Sequence, residues 1–475
     1  MILDTNFKKI YDNIHGFIKL SNWAMEIINT KEFQRLKYLH QLGTCYYVFP
    51  NATHSRFEHS LGTYYLCGRI LDSIKKYSCR TDINRWLTEV SELKDYYSKY
   101  DLSDPNIDLL DDTVCELVKI AGLCHDLGHG PFSHVFDDVF IKSIRSDKRD
   151  TDKHEHRSNI ILEKIVSSTQ LSKSFTEDMK LFIKSLIDPH NKEGFIYQIV
   201  SNPLNGIDVD KCDYIARDTY SVGLKFSFDF RSVIDDIMVI NNIISYPKQF
   251  YYEISYIFMT RYRLHKQIYT HKSVIASQYM INDIMRLIDP VLSIYKSTFD
   301  CNDFIDLTDS YILESVKFLN RTKDRYHPTV QVMIEDAMKI YNRLTEYNFY
   351  KFIGTIVTEV EIDVNNEIIK SIDDSINVDN ILIHCSKIGL VSGNKKNPLK
   401  SIYFYDKKNY KKDKTLHFTI EQERVSAFLP DTYQENLIMF YVKDPTDTEV
   451  VEKMKSIYEI ILMKVKELES MVNKD

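Results

Sequence analysis

The chain has 475 residues, 44% of them hydrophobic and 27% charged, and a formal net charge of -7 at pH 7. That length suits one large domain with a smaller attachment, and the acidic balance excludes a generally basic nucleic-acid-binding surface. Eight scattered cysteines without a C-x-x-C pair exclude a disulfide scaffold and fit a reducing compartment, while the lack of a signal peptide or long apolar span gives a soluble, cytoplasmic protein with no membrane contact as the expectation.

From Asp4 to about Tyr341 most segments read as helices. The run Asn51-Ala-Thr-His-Ser-Arg-Phe-Glu-His-Ser-Leu-Gly62 reads as a loop entering a helix whose apolar residues continue through Leu61, Tyr65, Leu66 and Ile70. Arg56 and His59, three apart, share a face there, a permanent cation beside a candidate metal ligand, which suits a phosphorylated substrate. Tyr77 to Asp112, rich in Asp, Ser and Lys, is expected to be a surface insertion, helical near Trp86 to Tyr97. From Asp112 to Leu127 the spacing of Val114, Leu117, Val118, Ala121 and Cys124 predicts an amphipathic helix ending on His125-Asp126. Gly128, Gly130 and Pro131 then stop it, and the turn is expected to aim His129 and His134 back into one pocket.

Adjacent imidazole and carboxylate groups both donate lone pairs to a divalent metal; the mixed set suits iron, manganese, nickel or zinc better than calcium, and spacing does not choose among them. A lone His-Asp dipeptide is more commonly a buried core pair or a helix cap. Clustering argues for ligation: seven of the 15 histidines lie between His54 and His156, three of them from His125 to His134. Further on, Asp210, Tyr214 and Asp218 recur every four residues with Lys211 beside them, predicting a helix face with two carboxylates and a phenol. Taken singly, such charge-rich segments read as solvated helix surfaces.

Apolar-periodic stretches around Ile257 to Leu287 and Ile312 to Leu319 complete a helical core over 1–345. From Phe349 to Val442 the composition shifts to β-branched and aromatic runs, such as Ile356 to Ile362, Ile381 to His384, Ser401 to Tyr405 and Leu437 to Val442, closed by an amphipathic helix Asp447 to Val472. The fold class is therefore mainly α, a helical core with a smaller C-terminal α+β lobe over 346–475. The basic run Lys407 to Lys414 reads as a solvated hairpin or loop, with nucleic-acid or phosphate contact the minority reading.

Taken together, His59, His125-Asp126 and Asp210 resemble the H…HD…D signature of the HD-domain metal-dependent phosphohydrolases. Gln34 to Tyr38, Gln41 to Gly43, Tyr46 to Pro50, Ser55 to Gly62, the His-Asp run, His154-Glu155 and Asn205 to Asp218 look like the deoxynucleoside triphosphate triphosphohydrolases within it, most of all the SAM- and HD-domain-containing branch. No SAM module is expected ahead of the core. The resemblance implies that His59, His125, Asp126 and Asp210 hold the metal, with magnesium on the substrate phosphates. It implies attack of metal-activated water on the α-phosphorus, releasing deoxynucleoside and intact triphosphate.

By the same resemblance His134 is the candidate acid, His129 stands near the phosphates or a second metal, and His154 with Glu155 completes the network, the carboxylate being expected to keep an acid form available. Arg56, Lys211 and Arg261 would bind phosphates, Tyr214 and Asp218 would lie near the sugar, and Gln41, Leu42 and Tyr269 would line the pocket. Tyr269 and Leu42 would close the space of a ribose 2′ hydroxyl, while Gln41 and Asp218 bind the 3′ hydroxyl. Thr270 departs from the family, which has glutamine there.

The resemblance further implies a homo-oligomer, dimer or tetramer, with an activating nucleotide between subunits. An acidic residue and an arginine of that site correspond here to Asn29 and Lys37, and Asn13, Pro247, Gln249 and Tyr347 also depart although Lys8 and Gln34 match, so activation is expected to be altered or absent. Two other classes stay open at this level: a different HD phosphohydrolase (nucleotidase, phosphodiesterase or nuclease), and a non-catalytic nucleotide or nucleic-acid binder.

Overall fold

A computed structural model of the chain describes residues 7–145, 149–225, 230–390, 397–419 and 433–472; Asp4, where the helical reading begins, lies outside them. The first described element is not a helix. β1 (Lys8–Asp12) and β2 (Gly16–Leu20) form an antiparallel hairpin that pairs Lys8 with Leu20 and Asp12 with Gly16. Alternation explains it: Ile18 and Leu20 are buried while Phe17 and Lys19 face water, a period of two that a helix cannot satisfy.

α1 (Arg56–Tyr77) begins where Ser55 and Glu58 cap each other, the Ser55 amide donating to the Glu58 carboxylate at 3.0 Å. α2 (Asp112–Cys124) begins at Asp111, whose carboxylate accepts from the Val114 amide at 2.8 Å. The two helices pack together, Leu66, Ile70 and Ile74 of α1 joining Val114, Leu117, Val118 and Ala121 of α2 in one apolar core. Each such side chain contributes roughly 1.5–3 kcal/mol on full burial, so the pair is a stiff base for the residues at its ends. The segment 77–112 is more than a solvated excursion: its helix Arg80–Thr88 and the turns after it bury Ile83, Leu87, Leu93 and Tyr97 in that core.

α3 (His154–Ser168) and α4 (Val209–Ser221) follow, then β3 (Met238–Ile240) and β4 (Ile243–Pro247). The long helix expected over Ile257 to Leu287 is divided. α5 (Tyr251–Leu264) runs into a π-helical turn, His265–Tyr269, before α6 (Lys272–Leu292) starts. Such a turn widens the helix by one residue and re-aims side chains, here His265 and Tyr269.

β5 (Lys351–Thr358), β6 (Ile381–Gly389) and β8 (Gln434–Val442) form an antiparallel sheet with β8 in the centre, and α7 (Thr448–Val472) lies against it. β8 is buried on both faces. Leu437, Met439 and Tyr441 join the helical core, whereas Ile438, Phe440 and Val442 join a second core with Met454, Ile457 and Ile461 of α7. β7 (Tyr403–Tyr405) pairs in parallel with β4, so the C-terminal segment completes a sheet begun before α5. The basic run is not a loop: Lys407–Lys412 is helical, with the Asp406 carboxylate accepting from the Lys408 amide at 2.9 Å. Among the described residues no helix is long and apolar enough to cross a membrane.

Candidate metal centre

The four expected ligands meet where α1, the end of α2 and the start of α4 converge. His59 Nε2 lies 3.1 Å from Asp210 Oδ1, 3.3 Å from His125 Nε2 and 3.5 Å from Asp126 Oδ2. His125 Nε2 lies 3.4 Å from Asp126 Oδ1 and 3.6 Å from Asp210 Oδ1. His59 and Asp126 are buried; Asp210 is the expected ligand that opens to solvent.

The chemistry of these donors fits a divalent cation. His125 Nδ1 faces the Gly122 carbonyl at 2.8 Å, and a carbonyl only accepts, so Nδ1 carries the proton and Nε2 presents a lone pair. His59 Nδ1 faces the Asp213 carboxylate at 2.8 Å and is oriented in the same sense. Two imidazole lone pairs and two carboxylates then share one small volume and repel unless positive charge lies among them. Burial opposes charging His59, but Asp210, Asp213 and Asp126 outweigh it and lift its pKa to about 10. Against the same burial, Asp126 and Asp210 raise His125. A volume that holds protons this firmly also attracts a metal, in competition with them.

Asp126 is shared with a second cluster, Asp126, His129 and His154. His129 Nε2 is 3.3 Å from Asp126 Oδ1, and its ring stacks on His154 at 4.0 Å with His134 edge-on at 5.3 Å. The turn after α2 therefore does return His129 and His134 to one cleft. Phe132 and Ser133 take positive φ there, both 58°, held by the Phe132 amide on Asp309 at 2.6 Å and by Ser133 Oγ donating to the His40 carbonyl at 2.7 Å. Gly128 is required because α3 crosses it: a Cβ would stand 2.1 Å from the His154 carbonyl oxygen. A π-helical segment, Val135–Phe140, then sets Asp137 against His129 Nδ1 at 2.7 Å and Asp138 against His134 Nδ1 at 3.1 Å.

The carboxylate on His134, the candidate acid, is Asp138, while Glu155 faces His154. Glu155 is 3.5 Å from His154, but burial and then the neighbouring His129 push the His154 pKa well down, so that ring is neutral. Loss of hydration works against protonating His134 too. Its side chain is 67% exposed, however, so that penalty is weak and the Asp138 contact raises its pKa. His265 is held down to about 3 by burial, Arg261 and His134.

A second polar group is anchored about two turns further along α4. Asp218 accepts from Tyr269 Oη at 2.5 Å and from His54 Nε2 at 2.7 Å. Leu42 and Tyr269 are half-buried against the core, and Gln41 is buried with its Oε1 unpartnered in the described structure. Burial and then the Asp218 charge push the Tyr269 phenol far up, so it donates rather than ionises. Tyr214 sits where burial raises its pKa against the charges of Arg261 and Lys211, which places both cations near it.

The expected phosphate ligands are otherwise engaged. Arg56 is buried, its guanidinium paired with Asp126 and its Nε 2.8 Å from Ser133 Oγ, because a desolvated carboxylate takes the nearest cation. Lys211 Nζ is 3.3 Å from Asp208, and Arg261 donates to the Gly389 carbonyl at the end of β6 at 2.7 Å. Asn29 caps the helix Asn22–Ile28, and Lys37 donates to Gln34 at 2.6 Å.

Several supporting residues escaped the sequence reading. Arg157 donates to the Gly128 carbonyl at 2.8 Å and pairs with Asp137; Arg35 donates to the His129 carbonyl at 2.8 Å; His54 holds Asp218; His15 and Arg217 hold Asp213. One signal was available: Asp213 and Arg217 repeat at four residues beside the Asp210, Tyr214, Asp218 stripe.

The chain is similar to several known proteins. A family profile described as HD domain matches residues 56–218. An HD domain-containing protein of Acanthamoeba polyphaga mimivirus is 38% identical over 448 residues, covering 91% of each chain. The Deoxynucleoside triphosphate triphosphohydrolase SAMHD1 homolog of Dictyostelium discoideum is 33% identical, covering 94% of this chain and 79% of its own. Deoxynucleoside triphosphate triphosphohydrolase SAMHD1 of Homo sapiens is 31% identical, covering 92% and 70%.

Proposed function

The chain belongs to the family of SAMHD1-type, HD-domain deoxynucleoside triphosphate triphosphohydrolases, and from that premise we propose that it hydrolyses deoxynucleoside triphosphates at the α-phosphorus to deoxynucleoside and inorganic triphosphate. The observation that carries the reading is the two-histidine, two-carboxylate cluster together with the Asp218, Tyr269 and His54 group, Asp210 and Asp218 being presented by the same helix. Four protein donors would close a tetrahedral shell, but a nitrogen and oxygen set around a metal that takes five or six ligands leaves positions for water and phosphate, and the part-exposed Asp210 marks the side on which they would enter.

His59, His125, Asp126 and Asp210 would hold a divalent cation, of which iron, manganese, nickel and zinc all suit nitrogen and oxygen donors; when bound it lowers the pKa of water and polarises the phosphate. Lys211 and Arg261 neutralise the triphosphate. His134 keeps Nδ1 on Asp138 and offers its other ring nitrogen to the leaving 5′ oxygen, as an acid whose proton the Asp138 carboxylate helps to retain. Neutral His154 stacks on His129 and keeps its ring from turning away from the cleft. Asp218, gripped by His54 and Tyr269, accepts from a 3′ hydroxyl, Gln41 binds the same hydroxyl by donating its side-chain amide, and the fixed Tyr269 ring leaves a 2′ hydroxyl without a partner. A homo-oligomer with an altered nucleotide-activation site, given Asn29 and Lys37, completes the reading.

The test is incubation of manganese-supplemented protein with each of the four dNTPs, with and without GTP, and ion-exchange analysis of products. Intact triphosphate plus deoxynucleoside is the expected result, with turnover already present before GTP is added. Stepwise release of single phosphates, or metal-replete protein without turnover on any nucleotide, would discard the reading.

A further inference from the structure

Asp213, beneath the metal cluster, accepts four hydrogen bonds. His59 Nδ1 lies 2.8 Å from its Oδ2 and His15 Nε2 lies 2.6 Å from its Oδ1. Arg217 forms a bidentate pair with it, Nε to Oδ2 at 2.8 Å and Nη2 to Oδ1 at 2.9 Å, and uses Nη1 on Asp12 Oδ2 at 2.8 Å. Asp12 in turn accepts from the amides of Ile14 and His15 at 2.9 and 2.8 Å, which fixes the turn of the β1–β2 hairpin. All of these side chains are almost fully buried. The His15 ring lies against Tyr65 of α1 with centroids 5.0 Å apart. Gly62 of α1 passes so close that a Cβ there would stand 1.8 Å from Asp213 Oδ1, so the carboxylate has a tight fit on that side.

We propose that the N-terminal hairpin is a working part of the metal centre: His15, and Asp12 through Arg217, are positioning residues that lock the Asp213 carboxylate, which in turn fixes the tautomer and ring plane of His59. The inference rests on the metal-centre reading above. Its physical basis is saturation. A carboxylate has about four lone-pair positions, and here every one is taken, so Asp213 cannot rotate without leaving a buried donor unpaired. While it stays, His59 must carry its proton on Nδ1 and aim the Nε2 lone pair at the cluster; a carboxylate freed to turn would allow the other tautomer, which cannot ligate. The hairpin therefore acts on the centre through two layers of contact, His15 reaching His59 by way of Asp213, and Asp12 by way of Arg217 and Asp213.

Binding of manganese(II) to the full-length, nucleotide-free protein is the measurement, followed by calorimetry, with thermal melting of the metal-free protein as the check on folding. Asp213→Asn should weaken manganese binding about 10–100-fold, the range for outer-shell partners of a ligating histidine. His15→Leu should weaken it by about tenfold, and His15→Gln, which still offers an N–H to Asp213, should recover most of the loss. If Asp213→Asn does not fold, the His15 pair decides. Folded His15→Leu with unaltered manganese affinity, or His15→Gln as weak as His15→Leu, overturns the proposal. Wild-type protein that binds no manganese overturns the metal-centre reading and the proposal with it, whereas normal wild-type binding with unaltered variants overturns the proposal alone.

Discussion

The His59 side and the His134 side of the cleft are built on opposite principles. Around His59 the partners come from the first hairpin, α1, α2 and α4, and the polar groups are buried and paired. Around His134 the hydrogen-bonding carboxylate is Asp138, four residues on, 56% exposed and shared with Lys142 at 2.8 Å. Buried, saturated networks hold geometry because any displacement leaves a desolvated group unpaired; an exposed ion pair is screened and holds little beyond a local preference. Changes on the first side should decide whether a centre exists, and changes on the second should adjust how fast it works.

The largest effect expected is loss of the centre itself. Chelation should reduce turnover to background and added manganese should restore it, while His125→Ala should stay inactive with metal content measured by elemental analysis below one equivalent. Restored turnover of His125→Ala at the same metal concentration would erase the contrast between the two sides. Next, His134→Asn should lower kcat by about 10²–10⁴-fold, the usual share of a general acid, yet leave metal content and melting unchanged, because the ring and its Asp138 partner are both exposed. A parallel loss of metal would mean that the open side is structural after all.

Tyr269→Ala should raise the ratio of ATP to dATP hydrolysis by about tenfold or more, on the scale of discrimination set by one unpaired hydroxyl, read from initial rates at equal concentrations. The smallest effect sharpens the acid side. His134 is useful while protonated, so activity through it falls as pH rises past its pKa, and Asp138 moves that limb upward. Asp138→Asn should shift the alkaline limb of the kcat profile to lower pH, with activity lost on the alkaline side and little change on the acidic side. An unmoved limb would assign the acid to another group.

Much of the site was legible because it is written in short runs. His125-Asp126 sits at the end of an amphipathic helix, and that helix forms as Asp112–Cys124 with His125 at its C-cap. Asp210 and Asp218 share a face by simple spacing, and α4 presents both. The β-branched and aromatic runs after Phe349 likewise became strands, since strand preference is carried by the residue types themselves. What failed to show was held elsewhere: Glu155 adjoins His154 in sequence and was expected to govern its charge, yet burial and then the neighbouring His129 push its pKa down.

The sequence by itself determined the ligand types, their helices and the order of the motifs, because hydrophobic period, caps and glycine stops act within a few residues. Only the tertiary structure decided which partner each polar group keeps. Arg56 turned to Asp126, Asp213 gathered His15, His59 and Arg217, and β8 was buried on both faces, outcomes that depend on which distant groups are desolvated together. Burial removes water as the competing partner, so the choice among donors and acceptors is made by three-dimensional proximity, which no local pattern encodes.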